Sequence, residues 1–594
     1  MSDDTDEPTR REVLEGTVVA ASAVALTALG GTLLHGVAHA ATSRSVPRYL
    51  LEQLAAEGVR VLFGVPGATC DPLFAATEET GMRVVITASD LEAAYAADGY
   101  ARTAGLAAVS VTYGVGALAM LPVIAGAYAE RSPIVVINGG PSDKDLALQA
   151  EHDTLFSHGC GLPDGDLVAF RPVTAYAARA TSAADVPRVM GEALVAARTH
   201  QRPVYVEIPK HLWWASTSAA ATPVAPPTRA PGAVDAVVAE LRERLAVAER
   251  PVAVLGVRLR RRGLQAAAAS LMEALQIPWT TTFLGKAVLS EQSAGFVGVY
   301  AGGRSVPEVK DRVHGADLVL ALGCVMGRQY RTLAADLCKL VIRVDGDTAR
   351  LGDASGVQAD LGAVLAALKG TPPVAEAARS PGLADRSYDA RRASIPRPSL
   401  PAVLSTEEGL GYDELLREVS AQLSDETLLI TDTSLSMYPA AEVNVPTADG
   451  FLCNAVWQAI GYSVGAAVGA ALGQDRRPVA VVGDGGFQMT AQALSTMVQY
   501  RLPCVVIVVD NGLYGIEQWL LDPRWHRDGT YAPRPYLALN RWKHEQLAEA
   551  WGATGERVAT VPAFREALAR ALGRDRPTLL AVTIKPHSLP SELR

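Results

Sequence analysis

The sequence predicts an α/β protein made of three doubly wound domains, each built on a parallel sheet. Short β-branched runs alternate with helix-like segments through most of the chain, which is typical of a parallel sheet covered by helices on both faces. Two stretches rich in Pro and Ala, 211–232 and 371–408, divide this alternation into three blocks and are interpreted as linkers. At 594 residues the chain is too long for one hydrophobic core, which also favours several domains.

Each block has its own set of candidate strands. The first block, 45–210, has strands at 61–65, 84–87, 107–112, 134–137 and 204–208. The second block, 233–370, has strands at 252–255, 279–283, 318–322 and 341–344, and it has no glycine loop of the kind that binds phosphate. The third block, 409–594, has strands at 428–431, 479–482 and 503–509. We therefore expect the middle block to be a spacer or a regulatory domain.

Composition excludes several classes of protein. Hydrophobic residues make up 49% of the chain and charged residues 20%, as in an ordinary globular protein. A net charge of −9 gives no basic footprint, so nucleic acid is not expected as a partner. The six cysteines are scattered, with no C-x-x-C motif and no zinc spacing, which predicts neither a disulfide framework nor a zinc cluster.

Residues 1–41 differ from the rest of the chain. Arg10-Arg11 precedes a small-residue apolar stretch at 16–34, and Ala38-His39-Ala40 follows it. This pattern predicts a twin-arginine export signal and a periplasmic or extracellular location. The alternative is a disordered or helical extension of a cytoplasmic protein, because Glu15 stands where such signals favour a basic residue.

The stretch 479–518 carries the strongest functional signal. An apolar run ends in Gly483-Asp484-Gly485-Gly486, a helix-like segment follows, and a second apolar run ends in Asp510-Asn511-Gly512. Strand ends of such units hold ligands in parallel sheets. Glycines let the backbone approach a phosphate, and Asp484 and Asn511 are hard oxygen donors suited to Mg²⁺. The stretch predicts a magnesium diphosphate site, although an isolated GDG is also explained by a tight turn.

The separation of 27 residues between Asp484 and Asn511, with the following YGIEQ, resembles the thiamine-diphosphate (ThDP) fingerprint of the 2-oxo acid decarboxylase family. Similar stretches cover nearly everything after residue 45, and the chain looks most similar to the pyruvate, indolepyruvate and phenylpyruvate decarboxylases. The resemblance implies pyrimidine-binding, central and diphosphate-binding domains in that order. The stretches that carry it are FGVPGATCDPLF (63–74), AAYAADGYARTAG (93–105), VTYGVGALAMLPVIAGAYAE (111–130), RPVYVEIP (202–209), TFLGKAVLSE (282–291) and WQAIGYSVGAAVGAALG (457–473).

The resemblance implies ThDP and Mg²⁺ as cofactors. It assigns the metal to Asp484, Asn511 and the backbone carbonyl of Leu513. It places Ile460 beneath the two rings of the cofactor, although an ordinary core isoleucine is the alternative. The remaining cofactor-binding residues that it implies are Thr433, Ser434, Ser436, Gln458, Gly485, Gly486, Tyr514 and Gly515, together with Asp90.

The carboxylate that activates the cofactor departs from the family pattern. The family has a Glu eight residues before the acidic residue of ADGYAR, and this chain has Asp90, one methylene shorter. Glu92 is the competing candidate, but two residues farther along a helix it faces a different side. We expect Asp90 to take the role.

The proton relay is also altered. Ala68 stands where pyruvate-decarboxylase-type members carry an Asp, and His152-Asp153 replaces a His-His pair. His152 keeps one imidazole that titrates near neutrality, although it could equally be a surface histidine. Glu517 retains the family's second carboxylate and is expected to act as a general acid.

The resemblance therefore implies non-oxidative decarboxylation of a 2-oxo acid to an aldehyde through an enamine on C2 of ThDP, in a homodimer or homotetramer with active sites at the subunit interface. The aromatic residues that follow the metal loop favour a bulky aromatic or branched substrate, unless they serve the core or an interface instead: Trp519, Trp525, Tyr531 and Trp542. The altered relay leaves open a carboligase that joins the enamine to an aldehyde acceptor, and a non-catalytic paralogue.

Overall fold

The structure is a computed structural model that describes residues 43–225, 232–396 and 400–594. These residues form three α/β sheets of six, seven and six strands in chain order, which confirms the predicted fold class. A two-stranded ribbon pairs Arg44–Ser45 with Ser216–Thr217. The export signal predicted at 1–41 lies outside the described residues. Within the described ranges, every helix is too short or too polar to cross a bilayer.

The first sheet is entirely parallel. Across the sheet its strands run Arg83–Ile86, Val61–Gly64, Ala107–Ser110, Ile134–Gly140, Val204–Pro209 and Ala177–Arg179. All five predicted strands are present, and Ala177–Arg179 was not predicted. The α-helices of this domain are Val46–Ala56, Asp71–Thr80, Asp90–Ala104, Val115–Ala129, Asp143–His152, Gly165–Phe170 and Val186–His200.

The central sheet is parallel except at one edge. Its strands run in the order Phe296–Tyr300, Trp279–Thr282, Pro251–Leu255, Leu318–Leu322, Val341–Val344, Thr348–Leu351 and Val357–Gln358. The last two strands each pair antiparallel with the strand before them. The first of these reversals is a tight turn at Gly346, which has a φ of 147°. Its α-helices are Val234–Val247, Arg258–Arg261, Gln265–Leu275, Pro307–His314 and Leu361–Ala367.

The third sheet is parallel throughout and brings several chain turns to one edge. Its strands run Phe451–Cys453, Thr427–Thr431, Arg477–Gly483, Val505–Asp510, Thr578–Thr583 and Thr554–Val558. The carboxyl ends of three adjacent strands therefore place Asp432, Asp484 and Asn511 side by side. The α-helices from residue 388 onward are Tyr388–Arg391, Tyr412–Gln422, Met437–Ala440, Tyr462–Gly473, Asp484–Thr490, Ala493–Gln499, Gly515–Leu521, Arg524–Arg527, His544–Ala550 and Val561–Leu572.

Close packing of two helices joins the first and third domains of the chain. A Cβ atom added at Gly99 would lie 2.1 Å from the carbonyl oxygen of Ala466, and one added at Gly469 would lie 1.7 Å from that of Ala96. Only glycine allows the helices Asp90–Ala104 and Tyr462–Gly473 to approach this closely. The two domains consequently share one hydrophobic core.

A buried carboxylate of the first domain also positions a loop of the third. Glu130 is fully buried, pairs with Arg102 at 2.8 Å, and accepts the backbone N–H groups of Val456 and Trp457 at 2.7 and 2.9 Å. Hydrogen bonds to a buried charge are stronger than those between neutral groups. The loop that leads to Ile460 is thereby held in place.

Candidate active site

A cleft opens at the carboxyl edge of the third sheet, where parallel sheets hold their ligands. It encloses about 400 Å³ of space, open solvent included. The residues that line it come from five separate stretches of the chain: Tyr412, Thr433, Ser434, Leu435, Ile460, Gly483, Asp484, Gly485, Gly486, Val509, Asn511, Leu513, Tyr514, Gly515 and Ile516.

The two predicted metal side chains lie together in this cleft. Asp484 begins the helix Asp484–Thr490, and its carboxylate accepts the N–H of Gly485 at 2.9 Å and that of Gly512 at 2.6 Å. The side-chain oxygen of Asn511 accepts the N–H of Leu513 at 3.0 Å, and its amide nitrogen donates to Tyr412 at 3.1 Å. Both side chains are therefore fixed rather than free to rotate.

The positive charge of the nearby Arg541 only partly offsets the charge of Asp484. Asp484 is 4% exposed, and no lysine or arginine of the described residues forms an ion pair with it. Burial, followed by the repulsion of Asp510, raises the pKa of Asp484 to about 7. The carbonyl oxygen of Leu513 accepts the N–H of Gly515 at 2.8 Å and keeps a second lone pair. A buried carboxylate, an amide oxygen and a carbonyl fit a hard divalent cation.

The phosphate side of the cleft has hydroxyls and bare backbone. The hydroxyl of Thr433 is buried without a hydrogen-bond partner in the described structure, and Ser434 and Ser436 pair through their hydroxyls at 2.6 Å. A Cβ atom at Gly485 would lie 2.4 Å from the ring of Tyr514, so this backbone has no room for a side chain. An orphaned hydroxyl next to the start of a helix fits a phosphate group.

Ile460 lines the same cleft. It is positioned by Asp432, a residue that the sequence analysis did not identify. Asp432 is fully buried, and its carboxylate accepts the N–H groups of Gly461 at 3.0 Å and Ser463 at 2.9 Å. Burial raises the pKa of Asp432 to about 6. Asp432 directly follows a buried strand, and that position in the sequence was the available signal. The carboxylate of Asp432 fixes the turn at Gly461 and so directs Ile460 toward the cleft.

The structure separates the two candidates for the activating carboxylate. Glu92 is fully buried, and it accepts the N–H of Ala88 at 3.1 Å across the first turn of its helix. Burial raises the pKa of Glu92 to about 7. Asp90 is half-buried. A Cβ atom added at Gly116 would lie 2.8 Å from the carboxylate of Asp90, so this carboxylate faces the start of the helix Val115–Ala129. Glu92 is enclosed by its own chain, whereas Asp90 is not.

Five predicted residues do not line the cofactor cleft of the single chain: Asp90, His152, Ser436, Gln458 and Glu517. Asp90 and His152 belong to the first domain, which contributes no lining residue, and the side chain of His152 is 62% exposed. Gln458 has a φ of 62° and lines a neighbouring cavity instead. Glu517 lies on the helix Gly515–Leu521 at the rim of the cleft and is exposed.

The four aromatic residues proposed for the substrate region occupy different surroundings. Trp519 is one helical turn from Gly515 and Ile516, which line the cleft, and its indole N–H donates to the carbonyl of Leu593 at 3.2 Å. The other three lie elsewhere: Trp525 stacks on His587, Tyr531 lies under Arg524 on the surface, and Trp542 packs near His544. Trp519 alone among the four adjoins the cleft.

Three family models match the chain in the order of its three sheets. They are the N-terminal TPP binding domain of the thiamine pyrophosphate enzymes over residues 44–158, their central domain over 238–368, and their C-terminal TPP binding domain over 433–582. The last range contains nearly the whole cleft. The fold and the cleft are those of a thiamine-diphosphate enzyme.

Curated relatives define the family more narrowly. The chain is 32% identical to an alpha-keto-acid decarboxylase of Mycolicibacterium paratuberculosis, over 92% of this chain and 95% of that protein. It is 30% identical to a pyruvate decarboxylase of Candida glabrata, over 86% and 90%, and 30% identical to pyruvate decarboxylase 1 of Pisum sativum, over 91% and 90%. The chain belongs to the thiamine-diphosphate-dependent 2-oxo acid decarboxylase family, which consists of carboxy-lyases.

Proposed function

We propose that this protein decarboxylates a 2-oxo acid bulkier than pyruvate, aromatic or branched, to the aldehyde, with ThDP and Mg²⁺ as cofactors. The observation that carries the proposal is the cleft in which Asp484 and Asn511 converge beside the unpartnered hydroxyl of Thr433. The names of the relatives, pyruvate and alpha-keto-acid decarboxylases, support the reaction class.

The cleft has a suitable group for each part of the cofactor. Asp484, Asn511 and the carbonyl of Leu513 would hold Mg²⁺, which needs oxygen ligands in addition to phosphate oxygens. The backbone N–H of Gly486, with the Thr433 hydroxyl, would hold the diphosphate, and the missing side chain at Gly485 would let it approach. When bound, ThDP supplies the electron sink for the carbon–carbon bond that breaks. Ile460 would support the rings from below.

A second copy of the chain would complete each site. No first-domain residue lines the cleft, yet the family resemblance assigns Asp90 to the cofactor. Beside Asp90, the helix Val115–Ala129 exposes Val115 and Leu118 by 61% and 43%. Exposed apolar side chains that are grouped in this way are typical of a subunit interface. We infer a homodimer or homotetramer in which Asp90 of one subunit faces the cleft of another.

Proton transfer would depend on Glu517 and His152. Glu517 stands at the rim of the cleft, where it can protonate the carbon that has lost CO₂. His152 ends the helix Asp143–His152 on the exposed face of the first domain, so it would reach a cleft only across the subunit interface. We assign the essential proton transfer to Glu517 and an auxiliary role to His152.

The test is a panel of 2-oxo acids assayed with the full-length holoenzyme. CO₂ and aldehyde should form from phenylpyruvate and from branched 2-oxo acids with a higher kcat/KM than from pyruvate. Turnover should need both ThDP and Mg²⁺, and cofactor titration in the same sample should saturate at the same concentrations. Cofactor binding without turnover of any acid would favour the non-catalytic alternative.

Carboligation is the second candidate activity. Ala68 and Asp153 replace groups that the family uses to protonate the intermediate and release aldehyde. An intermediate that lives longer has more time to meet an aldehyde acceptor. Assaying phenylpyruvate with and without added aldehyde separates the two activities, because a carboligase forms acyloin at the expense of free aldehyde.

We also propose that residues 1–41 direct export by the twin-arginine route, which moves folded proteins with their cofactors. The motif Arg10-Arg11 and the Ala38-His39-Ala40 site support this. A fusion of residues 1–41 to a reporter should be exported, and replacing both arginines by lysine should retain the reporter in the cytoplasm. Export that is unaffected by this change would contradict the assignment.

A further inference from the structure

A second cavity, which encloses about 540 Å³ of space with open solvent included, lies between the central and third domains. Nine described residues line it, none of them acidic, and Arg304 is the only one that carries a charge. The polar groups around it are those of Gln329, Tyr438 and Gln458. The cavity therefore has a net positive charge with nothing in its lining to neutralise it.

Three stretches of the chain connect the lining of this cavity, or its residue Arg304, with the lining of the cofactor cleft. Gln458 is two residues before Ile460, and Tyr438 follows the turn that carries Thr433 and Ser434. The third connection is the helix Gly515–Leu521, which lines the cleft with its first turn. The linings of the two spaces are thus separated by only a few residues along the chain, and we take the cavity as the space for the substrate side chain.

Arg304 is held at the outer end of this cavity. Its guanidinium carbon lies 4.6 Å from the centroid of the Trp519 ring, on the next turn of that helix. Arg304 is exposed and belongs to none of the ion pairs found in the described ranges. Its positive charge opposes the rise that burial causes in the pKa of Tyr438. A stacked guanidinium still has its N–H donors free at the edge.

The loop that carries Arg304 is rigidly built. It is the 3₁₀ turn Gly302–Arg304, directly after the strand Phe296–Tyr300. A Cβ atom at Gly302 would lie 1.8 Å from the carbonyl oxygen of Gln329, and the hydroxyl of Ser305 accepts the N–H of Ala301 at 2.8 Å. This packing fixes the direction in which Arg304 leaves the backbone, as a specificity group requires.

We propose that Arg304 binds an anionic group at the far end of the substrate side chain, so that the preferred substrate is a 2-oxo acid with a distal carboxylate. This inference rests on the proposed decarboxylase function, keeps a substrate bulkier than pyruvate, and replaces the aromatic or branched side chain by one that ends in a carboxylate. The bond between C1 and C2 breaks, CO₂ leaves, and a proton takes its place on C2, which gives an aldehyde that keeps the distal carboxylate. Trp519, whose ring lies under Arg304, would contact the intervening methylenes.

The test compares two substrates that differ in their distal group. These are 2-oxoglutarate and 5-methyl-2-oxohexanoate, in which an isopropyl group replaces the distal carboxylate. The holoenzyme should have the higher kcat/KM for 2-oxoglutarate. Arg304→Met should lower kcat/KM for 2-oxoglutarate about 10- to 100-fold, mainly by raising KM, and leave the neutral acid within about 2-fold. Arg304→Lys should restore part of the loss.

Arg312→Met is the matched control, because Arg312 is also an exposed arginine of the central domain but lies outside the cavity. Arg312→Met should leave kcat/KM unchanged for both substrates. The proposal is overturned if Arg304→Met leaves the preference between the two acids unchanged, or if the unmodified holoenzyme prefers the neutral acid.

A binding measurement separates this proposal from the proposed function. Glutarate, which has no oxo group, should bind the holoenzyme more tightly than 5-methylhexanoate, and Arg304→Met should abolish the difference. Absence of CO₂ from every acid, with glutarate binding that still depends on Arg304, would refute decarboxylation and support the anion site. Turnover of neutral acids, with glutarate binding that is independent of Arg304, would refute the anion site alone.

Discussion

The carboxylate of Asp484 accepts the backbone N–H of Gly512 at 2.6 Å, which ties the end of one strand to the end of its neighbour. Gly512 directly follows Asn511, so this bond sets the distance between the two side chains that we assign to Mg²⁺. It also places the carboxylate beside the turn at Gly485 and Gly486. The cation and diphosphate subsites are therefore built as one unit.

Replacing Asp484 by Asn should remove the central negative charge of the metal site. We expect the affinity for ThDP in the presence of Mg²⁺ to fall at least about 100-fold, because losing a ligand costs more than losing a supporting group. Titration of ThDP by tryptophan fluorescence measures this. Asp425→Asn, at an exposed aspartate of the same domain, is the control. Unaltered ThDP affinity in Asp484→Asn would exclude the assigned metal site.

Exchange of the C2 proton of bound ThDP should distinguish Asp90 from Glu92. We expect Asp90→Asn to slow exchange and decarboxylation by about 10²- to 10⁴-fold, the usual range for a group that transfers or directs a proton. Glu92→Gln should leave the exchange rate near that of the unmodified protein. Hydrogen–deuterium exchange followed by NMR after acid quench gives both rates. Fast exchange in Asp90→Asn would refute its role.

Glu92 should make stability depend on pH. Its pKa in the folded protein is about 7, above the ordinary 4.5, so the folded state binds this proton more tightly than the unfolded state. The contribution of this proton to the free energy of unfolding is complete below pH 4.5 and is lost as the pH rises through 7. The loss is about 1.36 kcal/mol per pH unit, or about 3 kcal/mol in total. Relative to Glu92→Gln, the unmodified protein should lose a few degrees of Tm between pH 5 and 8. A parallel pH dependence of Tm in the two proteins would argue against this.

Glu517→Gln should affect chemistry and not cofactor binding. Glu517 lies at the rim of the cleft, and no hydrogen bond or ion pair holds it to another described residue. We expect kcat to fall about 10²- to 10⁴-fold while the affinity for ThDP stays the same. Steady-state kinetics with ThDP titration provide both values, and Glu549→Gln, at an exposed glutamate, is the control. Equal losses in both variants would show that the effect is not specific.

Mixed dimers should reveal whether two subunits share each site. If Asp90 of one subunit serves the cleft of another, co-expressed Asp90→Asn and Asp484→Asn chains form some dimers with one intact site. Random assortment predicts about one quarter of the activity of the unmodified protein in the co-expressed mixture and about one half in the purified mixed dimer, although each variant alone should be inactive. Activity of the purified mixed dimer measures this. No recovery in a verified mixed dimer would place both residues in sites within single chains.

The fold was largely predictable because buried strands in parallel sheets appear as short apolar runs. The predicted strand 318–322 matches Leu318–Leu322, and 341–344 matches Val341–Val344. Strands such as Thr554–Val558, with the sequence TGERV, were missed because they lie at sheet edges with only partial burial. Their pairing depends on partners far along the chain, which no local pattern encodes.

The candidate site was predictable where its residues lie within one strand–helix–strand unit. Asp484, Gly485, Gly486 and Asn511 belong to such a unit, and local geometry brings them together. Asp432 was missed because its role depends on the turn at Gly461, 29 residues away. Arg304 was missed because it comes from another domain altogether.

The sequence by itself determined the class of fold, the pair of oxygen donors and the glycine turn between them, since these depend on periodicity and on short-range chain geometry. Only the tertiary structure decided that Glu92 is enclosed while Asp90 is half-buried against the helix Val115–Ala129, and that Arg304 meets Trp519 beside the cleft. The contact between Arg304 and Trp519 joins parts of the chain that are far apart in sequence. Asp90 and Glu92 lie on one helix and differ in the side of it that they face. Both relationships are set by how domains pack, which depends on the whole buried surface and not on any single stretch.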